Sequence, residues 1–150
     1  MNNLIQEIDY QKIIKSIPIF CLDFLISSND KILLLKRNQE PLKGEYWVPG
    51  GRLYFKENID KAAERILKRE IGRSFNNKSI IGFANYQFQK LPKSRALHTP
   101  TLLLEISLKN QFDPILDDSH NNFVWSNKIP DRLIEENTIF EKTSIFKDYI

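Results

Sequence analysis

Residues 50–72, GGRLYFKENIDKAAERILKREIG, join a glycine pair to an amphipathic helix and set charged residues at fixed distances along it. Counted from Gly51 the spacing is G-x5-E-x7-R, through Glu57 and Arg65, followed by Glu70 and Gly72. Ile59, Ala62, Ala63, Ile66 and Leu67 recur at helical spacing, so 57–71 is expected to be a helix with one apolar stripe, stopped by Gly72. Gly50 and Gly51 permit backbone conformations closed to other residues and let a ligand or metal approach the chain. Glu57 stands near the positive end of the helix dipole and is spaced to pair with Arg65. Glu70 offers a hard oxygen suited to Mg2+. The same pattern also suits a surface helix with solvated charges, and that is the reading for Lys61, Glu64, Lys68 and Arg69.

The rest of the chain supplies strands on both sides of this helix. Residues 8–16 read as a short N-terminal helix stopped before Pro18. Residues 18–27 and 31–37 read as two strands of a β-hairpin joined by a turn at 27–30, with Asp23 alone in the first apolar run. Residues 38–50 read as a loop, 79–89 and 101–108 as strands, 123–125 as a short strand, and 131–150 as a segment ending in a helix. Strand, helix, strand, strand and late helix imply an α+β fold, an α/β/α sandwich around a mixed β-sheet. No repeat, low-complexity tract or linker divides the 150 residues, so one domain is expected over 1–150, with 1–16 as an N-terminal arm.

Charge and hydropathy narrow the partners. A net charge of +3 suits an anionic ligand but is too mild for a nucleic-acid surface. No apolar run approaches the roughly 20 residues needed to span a bilayer. The start, MNNLIQEIDYQK, lacks the basic and apolar regions of a signal peptide, and a cytoplasmic protein is expected. The single cysteine, Cys21, lies in an apolar run and reads as a core residue rather than a nucleophile.

The spacing of 51–72 follows the frame G-x5-E-x7-R-E-U-x-E-E-x-G-U, with U aliphatic, except that Ile66 and Arg69 stand at two of its three C-terminal acidic places. With PIFCLDF, LLLKR, GEYWVPGGRL and DDSHNNFVW, it makes the chain resemble a Nudix hydrolase of the GDP-mannose mannosyl hydrolase type over about residues 10–125. That subgroup similarly carries an aliphatic residue at the first of these places and a non-acidic one at the second. Attack at phosphorus commonly uses two or more cations, which one helix carboxylate cannot hold. Stabilising a departing diphosphate with one Mg2+ is the easier chemistry for such a site.

The resemblance implies Mg2+-dependent hydrolysis of a nucleoside-diphosphate sugar at the sugar C1–O bond, releasing sugar and nucleoside diphosphate. It implies a carbonyl from Gly50 and the carboxylate of Glu70 as metal ligands. Asp23, Arg37, Arg52 and Arg65 match the metal–diphosphate surroundings, and His120 matches the general base. Arginine forks fit diphosphate oxygens at any relevant pH, and an imidazole accepts protons near neutrality. Read from the residues alone, His120 is equally an ordinary loop histidine, and Asp23 could form a structural pair with Arg37. His98 lacks such context and reads as structural. Tyr10 either stacks on a base or packs in the first helix. The family's glutamine metal ligand is replaced by Ser119; serine, Asp118 or water would complete the site. A homodimer is expected by resemblance. The alternatives are a Nudix pyrophosphohydrolase cleaving at phosphorus and a non-catalytic nucleotide-sugar binding module.

Overall fold

The computed structural model describes residues 5–87 and 97–131. Helix α1 (Glu7–Ile14) opens the described chain and ends at Lys15, three residues before Pro18. Strands β1 (Cys21–Ser28) and β2 (Lys31–Arg37) form the expected hairpin. Its turn places Asn29 and Asp30 at φ 51° and 58°, the left-handed pair whose twist matches that of the flanking strands.

Strand β1 is buried on both faces. Leu22, Phe24 and Ile26 pack with one apolar cluster, and Leu25 packs with another that includes Leu34, Trp47 and Tyr86. Two-sided burial explains why 18–27 reads as an unbroken apolar run rather than an alternating one.

The helix expected at 57–71 is α2 (Ile59–Ile71). The Asn58 side chain caps its N-terminus by accepting from the Lys61 amide at 2.8 Å. Gly72, at φ 72°, ends it in the left-handed conformation, its amide donating to the Lys68 carbonyl at 3.1 Å. Ala62, Ala63, Ile66, Leu67, Glu70 and Ile71 form the buried stripe, so Glu70 lies on the apolar face of the helix. Ile59, expected in that stripe, is 37% exposed because it stands in the first turn, before the helix meets the sheet.

The sheet is mixed, with seven strands among the described residues. Strand β6 (His98–Ser107) runs parallel to β1, and β5 (Ser79–Gln87) runs antiparallel to β6. Strand β7 (His120–Ser126) pairs antiparallel with β2. It extends well beyond the expected 123–125; its first residues include asparagines, which local propensity disfavours in strands, so the sequence does not mark its start. The region expected to be a loop at 38–50 contains β3 (Tyr46–Trp47) and the start of β4 (Gly50–Arg52). Such short strands leave no periodicity to read. The architecture is the α+β sandwich around a mixed sheet that the sequence implies. The expected late helix lies outside the described residues, save for Asp131.

One departure from a regular sheet creates the site. Strand β1 pairs with β2 next to the turn, through Ser27↔Ile32 and Ser28↔Lys31. At its other end it pairs instead with β4, through Cys21↔Arg52, Leu22↔Gly51 and Asp23↔Gly50. Between these stretches the Phe24 amide donates to the Pro49 carbonyl at 2.9 Å. The 48–52 segment thus wedges the hairpin open where Asp23 sits.

Candidate catalytic and metal-binding site

A cavity of about 640 Å3 occupies this split; Asp23, Arg37, Gly50, Arg52, Arg69 and Glu70 are among the residues that line it. Glu70 reaches it because one turn of α2 separates it from Ile66 and Leu67 on the same buried face. Its Oε2 accepts the Gly50 amide at 2.9 Å and its Oε1 the Arg69 Nη2 at 2.9 Å. Burial pushes the Glu70 carboxyl above the usual range, partly offset by His120, the Gly50 amide and Arg69.

Asp23 is the second buried acid, and burial raises it to about 7 against the lowering effect of a hydrogen bond from Trp47. The Trp47 Nε1 donates to its Oδ2 at 3.3 Å. This indole, not a structural pair with Arg37, is the partner of Asp23. Gly50 must be glycine for the same reason: an added Cβ would run into Asp23 Oδ1 and come within 2.8 Å of the Leu22 carbonyl.

Arg37 enters the cavity at an irregularity in the β2–β7 ladder. Lys36 pairs with Asn122 but Arg37 pairs with His120, leaving Asn121 as the extra residue. Such bulges bend the strand and re-aim side chains. The Arg37 Nε donates to the Pro41 carbonyl at 2.6 Å. Burial pulls its guanidinium below its ordinary value, while Glu70 and Asp23 pull the other way.

The turn before β7 completes the arrangement. Asp117 Oδ1 accepts the Ser119 amide at 3.1 Å and lies 3.1 Å from His120 Nδ1. Asp117 Oδ2 is 3.5 Å from Arg69 Nε. Candidate ligand atoms of Glu70, Asp117 and His120 all fall within 4.8 Å of one another. The carboxylates of Glu70 and Asp117 at that spacing, sharing the Arg69 guanidinium, fit a divalent cation, with the His120 imidazole beside them. Asp117 was not singled out by sequence reasoning; the signal available was its i,i+3 spacing to His120. It, rather than the neighbouring Asp118, turns its carboxylate toward Glu70. Ser119 lines the cavity and ties the turn to β2, its carbonyl accepting the Asn38 amide at 2.7 Å.

Arg65 and Glu57 form a brace beside the cavity. Arg65 Nε and Nη2 each meet a Glu57 oxygen at 2.7 Å, and Nη2 also donates to the Arg52 carbonyl at 2.9 Å. This pairing lowers the Glu57 carboxyl and raises Arg65. Glu57 Oε2 also accepts the Tyr54 amide at 3.0 Å, and the Arg65 guanidinium lies 3.7 Å from the Tyr54 ring centre. The brace fixes the exit of β4, where Arg52 stacks between Tyr10, at 4.8 Å, and Tyr54, at 5.3 Å. Tyr10 therefore joins the lining through Arg52.

Arg69, read from sequence as solvated, instead pairs with Glu70 and Asp117, because the apolar face of α2 turns its neighbour into the cavity. Cys21 is half-buried, and burial first, with Asp23 next, pushes its thiol far above the range of a nucleophilic thiolate. His98 sits on β6 with Nε2 2.6 Å from Asn85 Oδ1, a structural setting.

The sequence matches the NUDIX domain over residues 21–127. It is 30% identical over 74 residues to the low-salt glycan biosynthesis protein Agl8 of Haloferax volcanii, covering 49% of this chain and 47% of that protein. It is 37% identical over 65 residues to an ADP-ribose pyrophosphatase of Methanocaldococcus jannaschii, covering 43% and 38%. The matches thus span half or less of these relatives' length. A MutT protein of Methanosarcina mazei Go1 shares the fold, with TM-score 0.61, 20% identity, and coverage of 89% of this chain and 91% of that one. Because the domain match takes in the sheet, the glycine pair, α2 and the Asp117–His120 turn together, the chain belongs to the Nudix family.

Proposed function

We propose that this chain is a divalent-cation-dependent hydrolase of a nucleoside-diphosphate sugar, GDP-mannose-like in type, cleaving the sugar C1–O bond. The observation that carries the reading is that α2 offers the cavity one carboxylate. Ile66 is fully buried in the core and Arg69 adds positive charge, so the helix is poor in ligands for several cations. A bound Mg2+, held by Glu70, Asp117 and a Gly50 carbonyl with Ser119 nearby, would neutralise charge on the diphosphate.

The chain's own groups supply the rest. Arg37 and Arg52 present fixed forks to diphosphate oxygens, and Arg65 holds the Arg52 backbone in place. Asp23 orients the site beside Gly50. Asp117 against Nδ1 favours the His120 tautomer whose Nε2 accepts a proton from the attacking water. The His120 side chain is only 2% exposed and is not among the residues that line the cavity, so the attacking water would have to be held beside Glu70 and Asp117, which its ring meets. Exposed Ile5, Ile8 and Ile17 around α1 support a homodimer through the N-terminal arm. Among the described residues no helix is long and apolar enough to cross a membrane.

A second reading, hydrolysis at phosphorus, is favoured by the likeness to an ADP-ribose pyrophosphatase. Turnover of GDP-mannose and ADP-ribose in H2 18O with Mg2+, followed by 31P NMR and mass spectrometry, separates the two. The proposal expects GDP and 18O on the mannose carbon from GDP-mannose, with ADP-ribose, whose diphosphate is joined through ribose C5, left intact. Nucleoside monophosphate with 18O in phosphate would establish the second reading instead. No turnover of any nucleoside-diphosphate sugar, with binding retained, would leave a binding module.

A further inference from the structure

Arg69 occupies an unusual position for a half-exposed helix arginine. Its Nη2 lies 2.9 Å from Glu70 Oε1 and its Nε 3.5 Å from Asp117 Oδ2, so one guanidinium spans the two carboxylates of the cation site. The same Nη2 would stand 3.1 Å from a Cβ at Gly51, so the glycine lets the guanidinium lie close over the backbone, where a side chain would push it away by a few tenths of an ångström. The side chain is 44% exposed and lines the cavity. Its two contacts draw on Nε and Nη2 of a group with five N–H donors, which leaves donors for phosphate oxygens.

We propose that Arg69 is a tethered cation of this site: it offsets part of the charge of Glu70 and Asp117 in the free protein and turns its fork to the diphosphate of a bound nucleotide. This rests on the reading that Glu70 and Asp117 hold a divalent cation. A positive charge within about 4 Å of two ligating carboxylates must oppose cation binding. The same charge must favour the diphosphate. Arg69 therefore pulls the two affinities in opposite directions, which a residue that merely stabilises the fold would not do.

The test is a pair of titrations on wild type, Arg69→Ala and Arg69→Lys, with melting temperatures confirming that each variant is folded. Mn2+ binding to the free protein is followed by electron paramagnetic resonance. Binding of ADP and GDP, in the presence of Ca2+, is followed by calorimetry. Arg69→Ala is expected to tighten Mn2+ about tenfold and to weaken both nucleotides about tenfold or more. Arg69→Lys should keep Mn2+ near its wild-type affinity while recovering the nucleotide only in part, since a point charge lacks the fork. Shifts of the same sign, or a nucleotide affinity unchanged in Arg69→Ala, overturn the proposal while leaving the cation site intact. Absence of Mn2+ binding in all three proteins overturns the cation reading, and this inference falls with it.

Discussion

Asp23→Asn should make the metal-free protein more stable at neutral pH and leave it little changed in acid. Asp23 is 7% exposed, with its pKa raised from 3.8 to about 7, mainly by burial. The folded chain therefore holds this proton between about pH 4 and 7 while the unfolded chain has released it. Stability falls as pH rises through that window, and the full cost is present above pH 7. Roughly three units at about 1.4 kcal/mol each give an upper bound on the order of 4 kcal/mol. Asparagine keeps an oxygen for the Trp47 indole but brings an amide that needs its own partner. A gain of about 1–3 kcal/mol is then expected at pH 8, or roughly 3–10 °C in Tm for a chain of this size. Thermal melts followed by circular dichroism in EDTA, from pH 4 to 8.5, measure it. The two proteins should converge near pH 4 and separate as pH rises. A gap that is constant across the range, or a variant less stable than wild type at pH 8, would refute the electrostatic argument.

Other consequences follow from the same geometry. Gly50→Ala should destabilise by about 1–3 kcal/mol or more and reduce metal affinity, since its Cβ meets Asp23 Oδ1 and the Leu22 carbonyl; denaturant titration and Mn2+ binding check both. Arg65→Ala should cost about 1–3 kcal/mol by stripping Glu57 of both charge-assisted bonds, and should raise KM because the Arg52 carbonyl loses its donor. Urea unfolding and steady-state kinetics separate the two effects. Divalent-cation affinity should weaken as pH falls, and should do so at a higher pH than an ordinary carboxylate would require, because burial raises the Glu70 carboxyl and it must be unprotonated to ligate. Calorimetry in buffers of different ionisation enthalpy should show net proton release on binding.

How much of this was readable from the chain depends on the range of the forces involved. The α2 stripe, its Gly72 stop and the Asn29–Asp30 hairpin turn are set by neighbours a few residues away, and each leaves a local pattern. Strands β3 and β4 leave none, because pairing with β2 and β1 makes them strands rather than their own two or three residues. The glycine–glutamate–arginine frame was legible as a spacing, with Glu57 set to pair with Arg65 and Glu70 to offer a metal oxygen; that Arg65 would brace the Arg52 backbone rather than line the cavity was not. Glu57 and Arg65 face each other beside the cavity, whereas Glu70 faces into it, and only the helix's placement on the sheet separates them. Asp117 and Asp118 are adjacent and chemically alike. The Ser119 amide and the His120 ring, both held on Asp117 by the turn, are what single it out.

The wedge at 48–52 links these observations to the chemistry. A regular β1–β2 ladder would leave Asp23 facing apolar neighbours, an arrangement too costly to persist with a charge. Opening the hairpin lets Trp47 reach Asp23 and the Gly50 amide reach Glu70, so both acids gain a donor but not enough positive charge to ionise freely. Arg69 and Arg37 supply part of the deficit from opposite sides, one from α2 and one from the β2–β7 bulge. The remainder is a standing preference for a cation. Binding one would then both stabilise the fold and preset the charge on which a diphosphate settles, so cation-dependent stability and cation-dependent catalysis should vary together across substitutions at Asp23 and Glu70.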